Sequence, residues 1–219
     1  MKTAFLVVIF STVSLAGCTQ PARETATSVS PATEPSASAS AGMDHAAMGH
    51  GAPASDSAMN HAMGTSGLKS LRGKTGEAFD RAFLSQMIAH HEAAVRMGEE
   101  ARGTATKPET KREAQNVMDS QRKEIAQMTN WLKEWYKTAP DAAEQALVNA
   151  DMKDMMAMKV SSDAVFYAMM IPHHQGAIDM SELALKNAER TEVKDLARKI
   201  IAAQKAEIAD YQKLMANGI

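Results

Sequence analysis

The 219-residue sequence predicts an all-α protein in which two copies of one helical hairpin form a four-helix bundle behind a long tether. Two observations carry this prediction. From Glu77 onward, apolar residues recur at spacings of three and four with strong helix formers between them, which is typical of amphipathic helices. The second half of this region also repeats the first. Before Glu77 no apolar period is sustained, so no packed core is expected there.

The N-terminus has the features of an export signal. Lys2 precedes an apolar run over residues 4–15, which is too short to span a membrane but suits a signal peptide over residues 1–17. The run ends in Leu-Ala-Gly-Cys, and Cys18 is the only cysteine in the chain. This ending resembles a lipobox and predicts that Cys18 carries lipid. The alternative is an ordinary secretory signal with an incidental cysteine.

The residue after the cysteine bears on location. Thr19 stands where an aspartate would retain a lipoprotein at the inner membrane of many Gram-negative bacteria. We therefore expect a periplasm-facing lipoprotein of the cell envelope, anchored through Cys18 and placed at the outer membrane if the bacterium is Gram-negative.

Residues 18–76 are predicted to form a flexible tether, because the segment is rich in Ala, Ser, Thr, Pro and Gly. Two clusters of methionine and histidine interrupt it. Their members are Met43, His45, Met48, His50, Met59, His61 and Met63. Thioether and imidazole groups in a flexible segment can wrap a copper ion without a preformed site, so these residues are candidate ligands. Compositional noise is the alternative.

Residues 77–219 are predicted to form the bundle, with helices at about 77–102, 109–137, 163–188 and 191–217. Pro108 lies near the start of the second helix, and Pro140 follows its end. A short helix within 141–159 is expected to cross between the two hairpins.

The hairpins, at about 77–137 and 160–217, are copies related by an offset of 83 residues. At this offset Asp80 matches Asp163, and His90-His91 matches His173-His174. The register holds without a gap through the first helices and continues in the second helices. A repeated hairpin implies a bundle with pseudo-twofold symmetry, because neither copy can bury its apolar face alone.

Histidines and methionines fall on the core-facing stripe of the first helix in each repeat. The candidate ligands are Met87, His90, His91, Met97, Met170, His173, His174 and Met180. A lone buried histidine is usually an ordinary core residue, and methionine commonly fills gaps in cores. Four buried imidazoles in one small core would be costly without a shared purpose, so the pattern predicts a metal site.

Polar residues on the second helix of each repeat are candidates to orient these imidazoles. They are Gln121, Glu124, Gln204 and Glu207. For the glutamines, an interhelical hydrogen bond with no role in metal binding is the alternative.

The ligand chemistry favours copper. Thioether sulfur is a poor ligand for magnesium, calcium or iron(II) and a good one for copper(I), while imidazole accepts copper in either oxidation state. We therefore expect copper as the bound metal, with Cu(I) favoured and Cu(II) possible. The sequence does not decide whether Met152, Met155, Met156 and Met158 bind metal.

The two Met-x-x-His-His segments, each preceded by Asp-x-x-Phe, resemble the domain of unknown function 305 family. The resemblance covers about 77–219 and implies a ferritin-like four-helix bundle. The family includes periplasmic copper-binding proteins implicated in copper resistance. With the ligand chemistry, the resemblance supports copper handling, and we expect an envelope protein that sequesters or delivers copper and is not an enzyme.

Two other functions stay open. Ferritin-like bundles can hold two iron ions through a Glu on each of two helices and a Glu-x-x-His on each of the others. Glu124 and Glu207 could supply the first two carboxylates, but Met87 and Met170 stand where the other two would be. A structural envelope protein without metal is the third possibility.

The formal charge of −2 excludes nucleic-acid binding, which needs a basic surface. The expected partners are copper ions, through the Met and His ligands, and the membrane, through Cys18. The sequence does not identify a copper exporter or chaperone.

Overall fold

Seven helices make up residues 65–219, the part of the chain that the computed structural model describes. They are α1 (Thr65–Arg72), α2 (Gly76–Thr104), α3 (Pro108–Tyr136), α4 (Ala142–Asp151), α5 (Lys153–Ala157), α6 (Asp163–Asn187) and α7 (Thr191–Ala216). The all-α prediction is confirmed, and the four long helices begin and end within two residues of their predicted bounds. No helix within residues 65–219 combines the length and apolarity needed to cross a bilayer.

The four long helices form two hairpins, with α2 against α3 and α6 against α7. The hairpins meet mainly through α2 and α6. Apolar side chains on these two helices form two clusters, and His90 and His173 lie between the clusters along both helices. The duplicated hairpin predicted from the sequence therefore places its paired histidines at the centre of the bundle.

A reciprocal pair of aspartates locks the hairpins in register. Asp80, near the start of α2, accepts hydrogen bonds of 3.0 Å from both backbone N–H groups of residues 189–190, in the α6–α7 turn. Asp163, at the start of α6, accepts two backbone bonds of 3.0 Å from residues 106–107, in the α2–α3 turn. Each inner helix thus satisfies otherwise unpaired donors at the start of the other hairpin's outer helix.

Helix α1 corrects the predicted end of the tether, which was placed at Gly76. Asp151 accepts a 2.8 Å hydrogen bond from the backbone N–H of Gly67, and Gln86 Nε2 donates a 3.2 Å bond to the Gly67 carbonyl oxygen. Leu71 is fully buried. An eight-residue helix is too short to be stable alone, so its contacts with α2 and α4 are what hold it.

The predicted crossover helix is present as two short helices, α4 and α5. The Asp141 side chain caps α4 by accepting hydrogen bonds from two backbone N–H groups in its first turn.

Several predicted residues lie outside residues 65–219, so the structure does not describe them. They are Cys18, Met43, His45, Met48, His50, Met59, His61 and Met63.

Candidate metal centre

Two imidazoles from different repeats face each other where α2 and α6 cross. The ring centroids of His90 and His173 are 3.7 Å apart, with an angle of 32° between the ring planes. Both side chains are fully buried. His173 Nε2 donates a 3.0 Å hydrogen bond to the His90 carbonyl oxygen, since a carbonyl only accepts. In the neutral ring, His173 Nδ1 therefore keeps its lone pair.

The other two imidazoles flank this pair and face carboxylates on the outer helices. His91 Nε2 donates a 2.6 Å hydrogen bond to Glu124 Oε2 on α3. His174 Nε2 lies 2.7 Å from Glu207 Oε2 on α7. Both rings are fully buried, whereas the two carboxylates are partly exposed. The structure thus brings Glu124 and Glu207 to the imidazoles they were predicted to orient.

Ring nitrogens without partners mark this centre. Within residues 65–219, neither nitrogen of His90 has a hydrogen-bond partner, and Nδ1 of His91, His173 and His174 also has none. A buried polar group left unpaired costs about 1–3 kcal/mol. Bound metal would satisfy these nitrogens, so the donor set fits a metal that accepts imidazole.

Burial also keeps the two central imidazoles neutral. It is the main cause that lowers the pKa of His90 well below its ordinary value, and the neighbouring His173 adds to the effect. Burial lowers the pKa of His173 in the same way, with His174 adding to it. At neutral pH both rings are therefore uncharged, so no bound proton competes with a metal ion for their free lone pairs.

The four predicted methionine ligands are all buried, but they divide between the two apolar clusters. Met87 and Met180 belong to the cluster that contains Phe83. Met97 and Met170 belong to the cluster that contains Phe166. Because α2 and α6 run antiparallel, each of the two clusters contains one predicted methionine ligand from each of these helices.

The imidazoles and the carboxylates beside them do not form a complete ligand set on their own. Across residues 65–219, no three His, Cys, Asp or Glu side chains converge closely enough to hold a metal ion. Coordination by all eight predicted side chains, including the four thioethers, stays a prediction.

The two predicted orienting glutamines, Gln121 and Gln204, are almost fully buried. In the described part of the chain their amide oxygens have no hydrogen-bond partner. Their role toward the imidazoles stays a prediction.

The methionines whose role the sequence left open differ in burial. Met152 and Met155 are buried in the cluster with Phe166, and Met156 packs against it. Met158 is exposed.

Sequence reasoning missed Tyr211 and Glu113. The Tyr211 ring lies 5.7 Å from the His174 ring, and its hydroxyl donates a 2.7 Å hydrogen bond to Glu113 Oε1. Burial and the nearby Glu113 carboxylate raise the pKa of Tyr211, so the phenol stays protonated. Comparison of the two repeats could have drawn attention to Tyr211, because the matching position in the first repeat holds a methionine, Met128, and not an aromatic residue.

Comparison with known proteins places this bundle in a family. The model of the family called Domain of unknown function (DUF305) matches residues 19–132 and 86–215. Among solved structures, CopM in the Cu(I)-bound form is 34% identical with a TM-score of 0.55, over 63% of this chain and 96% of that chain. CopM in the Cu(II)-bound form is 31% identical with a TM-score of 0.56, over 67% and 99%.

A DUF305 protein from Streptomyces coelicolor shares the fold at 24% identity and a TM-score of 0.53, over 63% of this chain and 92% of that one. A search of curated protein sequences gives no match. Because the family model spans most of the sequence, the chain belongs to the DUF305 family.

Proposed function

We propose that this protein binds copper inside the bundle and sequesters or delivers it in the cell envelope. The observation that carries the proposal is the contact between His90 and His173, two buried imidazoles whose ring centroids are 3.7 Å apart. Among residues 65–219, His90 has no hydrogen-bond partner for either ring nitrogen, and His173 has none for Nδ1. Copper accepts imidazole nitrogen in both common oxidation states.

The methionines favour Cu(I) as the bound form. Thioether sulfur occurs in both apolar clusters beside the histidines, from Met87, Met97, Met170 and Met180. Soft sulfur stabilises a soft monovalent ion more than a divalent one. CopM, at 31–34% identity, was solved with Cu(I), Cu(II) and silver, and silver(I) is likewise a soft ion. These likenesses support copper binding by this chain.

The envelope location rests on the N-terminal sequence. The apolar leader and the lipobox-like ending at Cys18 support export and a lipid anchor, with outer-membrane placement in a Gram-negative cell. The Met and His clusters over residues 43–63 would add copper capacity outside the bundle. In this proposal the protein is a copper carrier and not an enzyme.

A di-iron oxidoreductase is disfavoured by the residues at the centre. Such sites need Glu-x-x-His on two helices, and Met87 and Met170 occupy the Glu positions. Glu124 and Glu207 are present, but each faces a single imidazole of its own repeat.

Replacement of both central histidines tests the proposal. The His90→Ala/His173→Ala protein should lose its tightest Cu(I) component, with affinity reduced at least about 100-fold, or about 2.8 kcal/mol. The measurement is an anaerobic titration against a chromogenic Cu(I) chelator, with circular dichroism to verify the fold. His45→Ala/His50→Ala is the matched control, since it also removes two histidines but should leave the tight component intact. An unchanged tight component in the bundle variant would refute the proposal.

A further inference from the structure

Each outer helix brings one carboxylate to the Nε2 atom of a buried imidazole. His91 Nε2 donates a 2.6 Å hydrogen bond to Glu124 Oε2, and His174 Nε2 lies 2.7 Å from Glu207 Oε2. An ionised carboxylate only accepts, so a neutral ring at either distance carries its hydrogen on Nε2. In both rings the lone pair is therefore on Nδ1.

The central ring of the second repeat has the same arrangement. His173 Nε2 donates a 3.0 Å hydrogen bond to the His90 carbonyl oxygen, which leaves the lone pair of His173 on Nδ1. Within residues 65–219, Nδ1 of His91, His173 and His174 has no hydrogen-bond partner, and all three rings are fully buried. Three buried rings thus offer a lone pair from the same atom.

We propose that Glu124 and Glu207 are positioning residues, which hold His91 and His174 in the Nε2–H tautomer so that the bundle offers Nδ1 to a soft monovalent ion. The carboxylates themselves stay outside the ligand set. The donors are then neutral nitrogen and sulfur atoms, which suit Cu(I) or silver(I) better than a hard divalent cation. This inference rests on the proposed function for the metal, and it adds which ring atom binds and what selects the ion.

The two nitrogens of an imidazole lead to different ligand sets. Nδ1 is bonded to the ring carbon that joins the side chain, whereas Nε2 is at the far edge of the ring. Since Nε2 of His91 and of His174 faces a carboxylate on an outer helix, a metal on Nε2 would have carboxylate oxygen as a neighbour. A metal on Nδ1 would not. The tautomer therefore decides whether the carboxylates act as ligands.

Both repeats contain this pair of groups. At the offset of 83 residues His91 corresponds to His174 and Glu124 to Glu207, and the two nitrogen–oxygen distances differ by only 0.1 Å. The outer helices are not alike at every position, since the residue that corresponds to Met128 is a tyrosine. The repeated imidazole–carboxylate pair therefore does not follow from a general likeness of the outer helices.

The exposure of the carboxylates also suits a positioning role. The side chains of Glu124 and Glu207 are 27% and 32% exposed, while the imidazoles they face are fully buried. A carboxylate that keeps contact with water avoids most of the cost of burying a charge. Its hydrogen bond to Nε2 fixes the ring and makes the other nitrogen a stronger donor to a metal. The carboxylates can thus support binding without taking part in it.

The test uses the full chain with His45, His50 and His61 replaced by Ala, so that every remaining histidine lies in the bundle. Nitrogen-15 NMR of the metal-free protein shows which ring nitrogen carries hydrogen. Silver(I) is the metal probe, because its nuclear spin couples to the nitrogen that binds it. Replacing each bundle histidine in turn assigns the ring signals.

We expect hydrogen on Nε2 of His91, His173 and His174 in the metal-free protein, and silver coupling at their Nδ1 atoms. Hydrogen on Nδ1 of His91 or His174 would overturn the proposal. Silver coupling at Nε2 of either ring would overturn it as well.

Substitution of the carboxylates separates positioning from ligation. Glu124→Leu/Glu207→Leu removes both acceptors, so both tautomers should appear and Cu(I) affinity, measured by anaerobic competition, should fall at least about tenfold. Glu124→Gln/Glu207→Gln keeps an oxygen acceptor and should retain the Nε2–H tautomer and most of the affinity. Glu99→Leu/Glu182→Leu is the matched control, because these exposed glutamates are also related by the repeat and form surface ion pairs.

The outcomes distinguish this inference from the proposed function. If the carboxylates are ligands, the Gln variant should lose Cu(I) affinity as the Leu variant does, which would refute the positioning role while copper binding stands. A Leu variant with the tautomers and affinity of the control would also refute it. If the parent binds neither silver(I) nor Cu(I), the proposed function fails, and the metal-free spectrum alone decides whether the carboxylates fix the tautomers.

Discussion

Replacing Met87 and Met170 by leucine separates metal binding from folding. Both side chains are fully buried, and each lies in a different apolar cluster. Leucine keeps the apolar character and nearly the volume, so each substitution should cost less than about 1.5 kcal/mol. Because the two sites share no cluster, the costs should add to less than about 3 kcal/mol. The copper-free double variant should therefore remain folded.

Copper affinity should respond differently. Loss of one thioether from each apolar cluster should weaken Cu(I) binding at least about tenfold, or about 1.4 kcal/mol. Preference should shift toward Cu(II) or zinc, because His90 and His173 remain while soft sulfur is lost.

The assay pairs urea unfolding of the copper-free protein with anaerobic Cu(I) competition. Met118→Leu/Met128→Leu is the control, since it replaces two fully buried methionines outside the predicted ligand set. The control should lose similar stability and keep its Cu(I) affinity. If the Met87/Met170 variant binds Cu(I) as tightly as the parent, these methionines only fill the core and the proposed ligand set is wrong.

Three further predictions concern the lipid anchor at Cys18, the tether, and Asp163, one of the two aspartates that join the hairpins. Cys18→Ser should leave the protein without lipid and released from membranes, which fractionation and mass spectrometry would measure; membrane-bound variant protein would contradict it. Deletion of residues 43–63 should lower the number of copper ions bound but leave the tight bundle site intact, and equal stoichiometry in both proteins would show that the tether only spaces the bundle from its anchor. Asp163→Asn should destabilise the fold by about 2 kcal/mol at pH 7, because a buried carboxylate accepts three hydrogen bonds from residues 106–107. Burial acts to raise the pKa of Asp163, but these hydrogen bonds outweigh it and lower the pKa. The carboxylate therefore contributes its full stabilisation above the pKa of the unfolded state. The difference in stability between parent and variant should narrow as the pH falls below about 4. A gap in thermal stability that does not change with pH would contradict this assignment.

Local periodicity was sufficient to predict the long helices, because each presents one apolar stripe with the spacing of an α-helix. The repeat was equally visible, since the match at an offset of 83 residues has no gap through the histidine segment. Burial of His90 and His173 followed from their place on that stripe, and both are fully buried.

Helix α1 could not be predicted, because its stability comes from Asp151 and Gln86, which are distant in sequence. The Asp-x-x-Phe segments were visible as a motif, but the role of Asp80 and Asp163 depends on turns that belong to the opposite hairpin.

The sequence by itself determined the helices, the duplication, the buried histidines and the soft ligand chemistry, because these depend on residue type and on spacing along one helix. Only the tertiary structure decided which groups meet: His90 with His173 across the crossing, and Glu207 and Tyr211 around His174. These contacts depend on how α2 crosses α6 and on how each outer helix packs. Only the structure showed, too, that a groove lined by Glu109, Tyr167 and Glu207 opens on the bundle surface, because its space is set by side chains from α3, α6 and α7 together.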